Sequence, residues 1–194
     1  MAQKEQIEIL DQETNIDYIG LIFFENSPRY YNTIPASVLN KKKVGVFVNA
    51  SEEFICKTAE SHDLELLQLH GSESPELCLR LRKNFTTIKA FGIKTKDDFL
   101  QLKNYENEVD FFLFDTKTIK HGGSGEKFNW NILEGYSLNT PFFLSGGIAM
   151  EDADRIRELK HPKIYGADIN SKFEISPGIK DLQKVNKFLN QLKR

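Results

Sequence analysis

Asp115 closes the apolar run Phe111-Phe112-Leu113-Phe114. Desolvation of a carboxylate placed there favours its protonated form, the form a general acid needs; a turn or N-cap aspartate is the plainer alternative. Two later segments have the makings of anion-binding loops: Ser145-Gly146-Gly147-Ile148, and Asp168-Ile169-Asn170-Ser171-Lys172-Phe173-Glu174 followed by Pro177-Gly178. Glycine lets a backbone approach an anion closely, and free N–H groups at a short helix start can hold a phosphate. Taken alone, Gly146-Gly147 reads equally as a tight turn. Arg29, in Glu25-Asn26-Ser27-Pro28-Arg29-Tyr30, has the fork geometry for a carboxylate or phosphate, or is a surface turn arginine. The segment Gln68-Leu69-His70-Gly71 brings one histidine to the end of an apolar run, whereas His62, His121 and His161 read as ordinary surface residues. No His, Cys, Asp and Glu set has metal-ligand spacing, and no serine nucleophile elbow is visible. Gly122-Gly123-Ser124-Gly125, within residues 117–130, suits a mobile lid and is not a dinucleotide fingerprint.

These residues recur at the ends of short apolar runs, which implies elements that aim them in one direction. Strand candidates are residues 18–23, 44–48, 64–70, 87–93, 110–115, 141–146 and 164–169. Most are apolar almost continuously, as in strands covered on both faces of a parallel sheet. Helices are expected between them. Ser51, Ser74 before Pro75, and Thr95 offer hydroxyl N-caps, and further helices fit residues 129–136, 150–159 and 179–192, with a short one near 36–40. An additional helix, at about 3–13, stands before the first strand candidate. Strand–helix alternation at this pace implies right-handed βαβ units, with active-site residues at the C-terminal ends of the strands.

Composition narrows the function class. With 40% hydrophobic and 28% charged residues the chain reads as globular, and a formal charge of −2 gives no reason to expect nucleic acid or an anionic membrane as partner. Lys41-Lys42-Lys43 reads as a solvated turn before a strand. No apolar stretch approaches a membrane span, and the polar start does not resemble a signal peptide, so a cytoplasmic location is expected, with Cys56 and Cys78 as reduced thiols on helices.

Taken in order, YIGLIF with ENSPRYY, VGVFV, LQLHG, FDTK with GGSGEKFNW, LSGGI, and DINSKFE with PGIKD resemble the phosphoribosylanthranilate isomerase family of tryptophan biosynthesis. The match spans nearly the whole chain, and SPRY, LQLHG, the DTK-to-GGSG block and the final PG-x-KD are specific only together. The resemblance implies a (β/α)8 TIM barrel and a cofactor-free, metal-free Amadori rearrangement of phosphoribosylanthranilate, an aminoaldose, to an aminoketose. It implies Asp115 as the general acid at the ribose ring oxygen, Arg29 at the anthranilate carboxylate, Gln68 and His70 lining the pocket, and Gly146, Gly147, Asn170 and Ser171 in the phosphate loops.

The family's first strand ends in K-x-C-G, whose cysteine is the base that takes the C2 proton. Met1-Ala2-Gln3 corresponds to the position just after that motif. The resemblance therefore implies a single barrel domain over residues 1–194 that lacks its first β-strand, with seven strands and eight helices. It also implies impaired proton abstraction, since a general base is typically worth about 10²–10⁴-fold. Cys56 and Cys78 map to outer helices and cannot substitute. The gap must be closed, covered, or filled by a neighbouring chain, which makes a homodimer or strand-swapped assembly one expected outcome. Competing readings are a non-catalytic barrel that still binds a sugar phosphate, or another phosphate-binding barrel enzyme such as indole-3-glycerol-phosphate synthase. The synthase should show a catalytic lysine at an early strand end, where this chain has Phe23-Phe24-Glu25.

Overall fold

The structure, a computed structural model, describes residues 4–13, 15–32, 39–116 and 129–193. Seven strands, β1 (Tyr18–Ile22), β2 (Lys42–Phe47), β3 (Leu66–Leu69), β4 (Thr86–Ile93), β5 (Phe111–Thr116), β6 (Phe142–Leu144) and β7 (Ile164–Ala167), form one sheet in chain order. Every pairing in it is parallel. All seven fall where the apolar runs place strands. The continuous apolarity has a direct cause: alternate residues supply two separate layers. Leu21, Phe47, Leu67, Phe91, Phe112, Phe114 and Phe142 face the helices, whereas Val44, Leu66, Ile88, Ala90, Leu113 and Phe143 pack against one another on the concave side.

The helices depart further from expectation. The α-helices among the described residues are α1 (Lys4–Asp11), α2 (Glu52–His62), α3 (Pro75–Arg82), α4 (Ala153–Glu158) and α5 (Leu182–Leu192). Lys96–Tyr105, Trp130–Gly135, Met150–Asp152 and Ser171–Phe173 are 3-10 turns of helix. Two expected hydroxyl caps act as such: Ser51 Oγ accepts from Phe54 N (3.2 Å) and Ser74 Oγ from Leu77 N (3.3 Å). The helix expected near 36–40 lies mostly outside the described residues, and Leu39 and Asn40 are not helical. The last helix starts later than expected, because Asp181 caps it by accepting from Lys184 N (3.0 Å). Residues Ile179–Lys180 instead form β9, antiparallel to β8 (Glu174–Ser176), a hairpin the apolar pattern did not reveal. Lys43 is also not in a solvated turn. It lies in β2 with its side chain only 3% exposed, its Nζ 3.1 Å from Asp63 Oδ2.

The sheet curls until its two borders meet through side chains. Tyr18 on β1 and Tyr165 on β7 share a hydrogen bond between hydroxyls (3.0 Å), and the Tyr18 ring stands edge-on to Phe143. Among the described residues no strand pairs with the outer side of β1 or of β7. Helix α1 spans this seam. Asp11, in its last turn, accepts from Lys41 N (2.9 Å) just before β2, while Gln6 exchanges two hydrogen bonds with the backbone of Lys180 (2.9 and 2.8 Å) on β9.

A buried ion pair fixes the chain beyond β3. Lys89 and Glu73 have side chains 2% and 1% exposed, with Nζ 3.2 Å from Oε2. Lys89 Nζ also donates to the carbonyls of Leu69 (3.2 Å) and Gly71 (2.8 Å), and Glu73 accepts from the N–H groups of Asn49 (2.8 Å) and Gly71 (2.9 Å). The residue between the two held carbonyls is His70. Burial lowers the pKa of the Lys89 ammonium, opposed by the charge and hydrogen bond of Glu73. Removing one member strands the other charge in the interior, which costs about 3–5 kcal/mol. Lys89→Met is expected to lose stability on that scale in urea denaturation, and the double variant Lys89→Met/Glu73→Gln to recover much of it. Equal loss in both would show that the pair itself, and not the stranded carboxylate, carries the energy.

Candidate active site

A cavity of about 780 Å³ runs along the concave face of the sheet, from Tyr18 and Val44 near the starts of β1 and β2 to the C-terminal ends of the strands. Asp115, Arg29, Gln68, His70, Gly146, Gly147, Asn170 and Ser171 all line it, together with Asp168 and Lys180. Parallel pairing explains the convergence. Each strand hands its last residues to the same end, and the curl turns those ends toward one another.

One side of the cavity is acidic. The Gln68 amide Nε2 donates to His70 Nδ1 (2.8 Å), which leaves the proton of a neutral ring on Nε2. That nitrogen lies 3.5 Å from Asp115 Oδ2, near enough for electrostatic contact though long for a hydrogen bond. Asp115 Oδ1 accepts from the N–H of Thr116 (2.7 Å), so its Oδ2 is the oxygen turned toward His70. Gly146 abuts this carboxylate. A side chain added there would place its Cβ 2.5 Å from Thr116 N and 2.8 Å from Asp115 Oδ1, and Gly146 and Gly147 take left-handed φ values of 84° and 67°. Both the space and the backbone conformation at Gly146 therefore require glycine.

A second carboxyl stands beside the first. Asp168, just past β7, accepts from the Ser145 hydroxyl (2.9 Å). Burial raises its pKa; the Ser145 hydrogen bond and the Lys180 charge pull it back, the Asp115 charge pushes it further up, and His70 lowers it.

The other side is cationic. Arg29 donates through Nε and Nη2 to both oxygens of Glu174 (2.7–3.0 Å), and Lys180 Nζ reaches Glu174 Oε1 (3.2 Å), Asn170 Oδ1 (2.6 Å) and the Asn170 carbonyl (3.2 Å). Burial alone would raise the Glu174 pKa, but Arg29, Lys180 and the Gly178 N–H together hold it below the ordinary glutamate range. Arg29 is thus a half of a buried pair and not a surface turn residue.

Ser145, Asp168 and Glu174 lie in the two segments read as anion-binding loops, but the sequence assigns no individual role to them or to Lys180. Glu174 and Lys180 do fall inside the DINSKFE and PGIKD motifs, but nothing in local spacing indicates that they meet Arg29. His62 and His161 are not plain surface residues either. His62 stacks edge-on to Phe23 (4.8 Å) and His161 packs on Phe142 (5.3 Å). Cys56 and Cys78 are unpaired and sit on α2 and α3, outside the cavity lining. Burial pushes the Cys78 thiol up to about 11. Among the described residues no three His, Cys, Asp or Glu side chains converge as a metal site, and no helix is long and apolar enough to cross a membrane. His121 and the Gly122–Gly125 segment lie outside the described residues.

The model of the family described as N-(5'phosphoribosyl)anthranilate (PRA) isomerase matches residues 1–191. The chain belongs to this family. The N-(5'-phosphoribosyl)anthranilate isomerase of Parabacteroides distasonis is 49% identical over 185 residues, 91% of this chain and 84% of the relative. Among solved structures, the phosphoribosyl anthranilate isomerase of Thermus thermophilus superposes with a TM-score of 0.85 at 24% identity, covering 100% of this chain and 95% of that one, a likeness of fold. Another isomerase of the family, in complex with reduced 1-(o-carboxyphenylamino)-1-deoxyribulose 5-phosphate, superposes with a TM-score of 0.79 at 25% identity, again covering 100% and 95%.

The raised Asp168 pKa carries a stability signature. Below the ordinary value of 3.8 the carboxyl is protonated both folded and unfolded, so it contributes no pH dependence. Above it the unfolded chain ionises while the folded one keeps its proton, so stability falls with rising pH until the folded value is passed. Asp168→Asn is expected to melt higher than the parent at pH 7 and to coincide with it at about pH 3. A variant that melts lower than the parent at neutral pH would contradict this account.

Proposed function

We propose that this chain catalyses the isomerisation of N-(5'-phosphoribosyl)anthranilate to 1-(2-carboxyphenylamino)-1-deoxyribulose 5-phosphate in tryptophan biosynthesis. One observation carries the reading: a carboxyl acid, an arginine and two polar loops suited to a phosphate line a single cavity at the C-terminal end of a parallel sheet, in a chain of this family. Gly146, Gly147, Asn170 and Ser171 would hold the phosphate, Arg29 the anthranilate carboxylate, and Gln68 and His70 the wall between them. Asp115 would protonate the ribose ring oxygen. The C1–O bond then breaks as the anilino nitrogen lends its pair to C1, giving an open-chain iminium. Loss of the C2 proton to a base yields an enolamine, and tautomerisation delivers the ketone at C2. No redox partner or cofactor is required, because the two electrons move within the substrate.

The same reading takes the sheet as seven of the eight strands of a (β/α)8 barrel and the chain as one cytoplasmic barrel domain. An eighth strand, parallel to both β1 and β7, would fill the seam and bring a general base to the cavity from its C-terminal end. The position of Cys56 and Cys78 on outer helices supports this placement, since neither thiol can reach the substrate from there. That position also favours a second reading, a barrel that binds the sugar phosphate without turning it over. A strand supplied by a second copy, in a homodimer or swapped assembly, would serve in the same place.

Complementation of a tryptophan auxotroph lacking the isomerase separates these. A version preceded by a strand ending in K-x-C-G is expected to restore growth. Rescue by neither that version nor the present chain removes the isomerase assignment, and full rescue by the present chain places the base among its own residues. In the version that rescues, Asp115→Asn is expected to lower kcat by about 10²–10⁴-fold with a small change in KM. Retention of full activity by that variant would exclude Asp115 as the acid.

A further inference from the structure

Arg29, Glu174, Lys180 and Asn170 form an unbroken chain of contacts from the loop after β1 to the loop after β7. Arg29 meets both Glu174 oxygens (2.7–3.0 Å), Glu174 meets Lys180 Nζ (3.2 Å) and the Gly178 N–H (3.1 Å), and Lys180 meets both oxygens of Asn170 (2.6 and 3.2 Å). The side chains of Arg29, Glu174 and Lys180 are only 16%, 4% and 9% exposed. Two cations share one carboxylate here, so the bridge leaves a positive charge on the cavity wall, where both Arg29 and Lys180 stand. A guanidinium has five N–H groups, and Glu174 engages the Nε edge, which leaves the Nη1 edge to meet a second carboxylate.

We propose that Glu174 and Lys180 are positioning residues for substrate recognition, a buried bridge that aims Arg29 and shapes the Asn170 loop together and so sets the span between the carboxylate end and the phosphate end of the ligand. This rests on the functional reading given above. The bridge selects doubly anionic ligands whose carboxylate lies on an aryl ring at one distance from a sugar phosphate. A ligand lacking the carboxylate keeps its phosphate contacts and loses only the partner that Glu174 aims. The bridge also joins the two borders of the sheet, so a purely structural role is the alternative to be separated from it.

Calorimetric titration of the full chain distinguishes the two, using reduced 1-(o-carboxyphenylamino)-1-deoxyribulose 5-phosphate and the same compound without its carboxyl group as probes. The parent is expected to prefer the carboxylated probe by about 10- to 100-fold, the range of a charge-assisted hydrogen bond. Glu174→Gln should bring that preference close to unity while the carboxyl-free probe binds within about 3-fold of its parental affinity, a shift well inside the weight of one ordinary hydrogen bond. Arg29→Lys keeps the charge but cannot form the bidentate pair, and should lose the same preference; it keeps the test open if Glu174→Gln does not fold. A preference that persists in Glu174→Gln beside a lowered melting temperature would overturn the positioning role and leave a structural seam. If the parent binds neither probe, the functional reading fails and the bridge's role fails with it; if the parent binds both equally, only the inference fails.

Discussion

A parallel sheet that curls without closing has two unpaired borders, and the geometry of the cavity depends on how those borders are held. Among the described residues, β1 and β7 are joined not by a ladder of backbone hydrogen bonds but by side chains at two levels. Tyr18 and Tyr165 meet at the N-terminal end of the strands, and Arg29, Glu174 and Lys180 meet at the C-terminal end. Helix α1 lies across the same seam, bound to the chain before β2 and to β9. Because the curl is what turns the strand ends toward one another, these contacts fix the width of the cavity mouth as well as the integrity of the sheet. An exposed strand border is also a template for unwanted pairing, and side-chain closure blunts it without a strand.

The cavity lining carries both signs of charge. Asp115 and Asp168 stand near His70, and Arg29 and Lys180 flank Glu174. Lys180 and Asp168 influence each other's protonation. Charges in a partly desolvated space act more strongly than in water, so both signs of charge on the cavity lining bear on whatever occupies it. The arrangement has a cost in stability: burial raises the pKa of Asp168, and Gly146 and Gly147 hold left-handed backbone beside Asp115.

Much of this was legible in the chain because the physics is local. Continuous apolar runs such as Phe111-Phe112-Leu113-Phe114 mark strands buried on both faces, and the residues just after them are those a parallel sheet sends to one end. Ser51 and Ser74 cap helices by bonds to N–H groups three residues on. What stayed hidden is non-local. Arg29 and Glu174 lie 145 positions apart, and nothing near either of them announces the other. Lys43 reads as part of a solvated turn and Lys89 as a polar interruption of a strand until Asp63 and Glu73 are placed beside them. The hairpin of β8 and β9 consumes residues whose pattern fits the start of a helix, because the Asp181 cap and the Gly178 turn, with φ of 84°, outweigh helical propensity at Ile179 and Lys180. The placement of the two cysteines on helices, by contrast, follows from the Ser51 and Ser74 caps that open those helices.

The Lys89–Glu73 pair has a consequence for descent as well as for folding. Two opposite charges enclosed together can be inherited together, or both be exchanged for neutral groups, but a lineage that alters one must pass through a form that harbours a lone charge in its interior. Since the backbone they grip carries His70, that intermediate would be penalised twice, once in persistence of the fold and once in the shape of the cavity. The two positions are therefore expected to change together among relatives, and drift at either should be intelligible only beside the other.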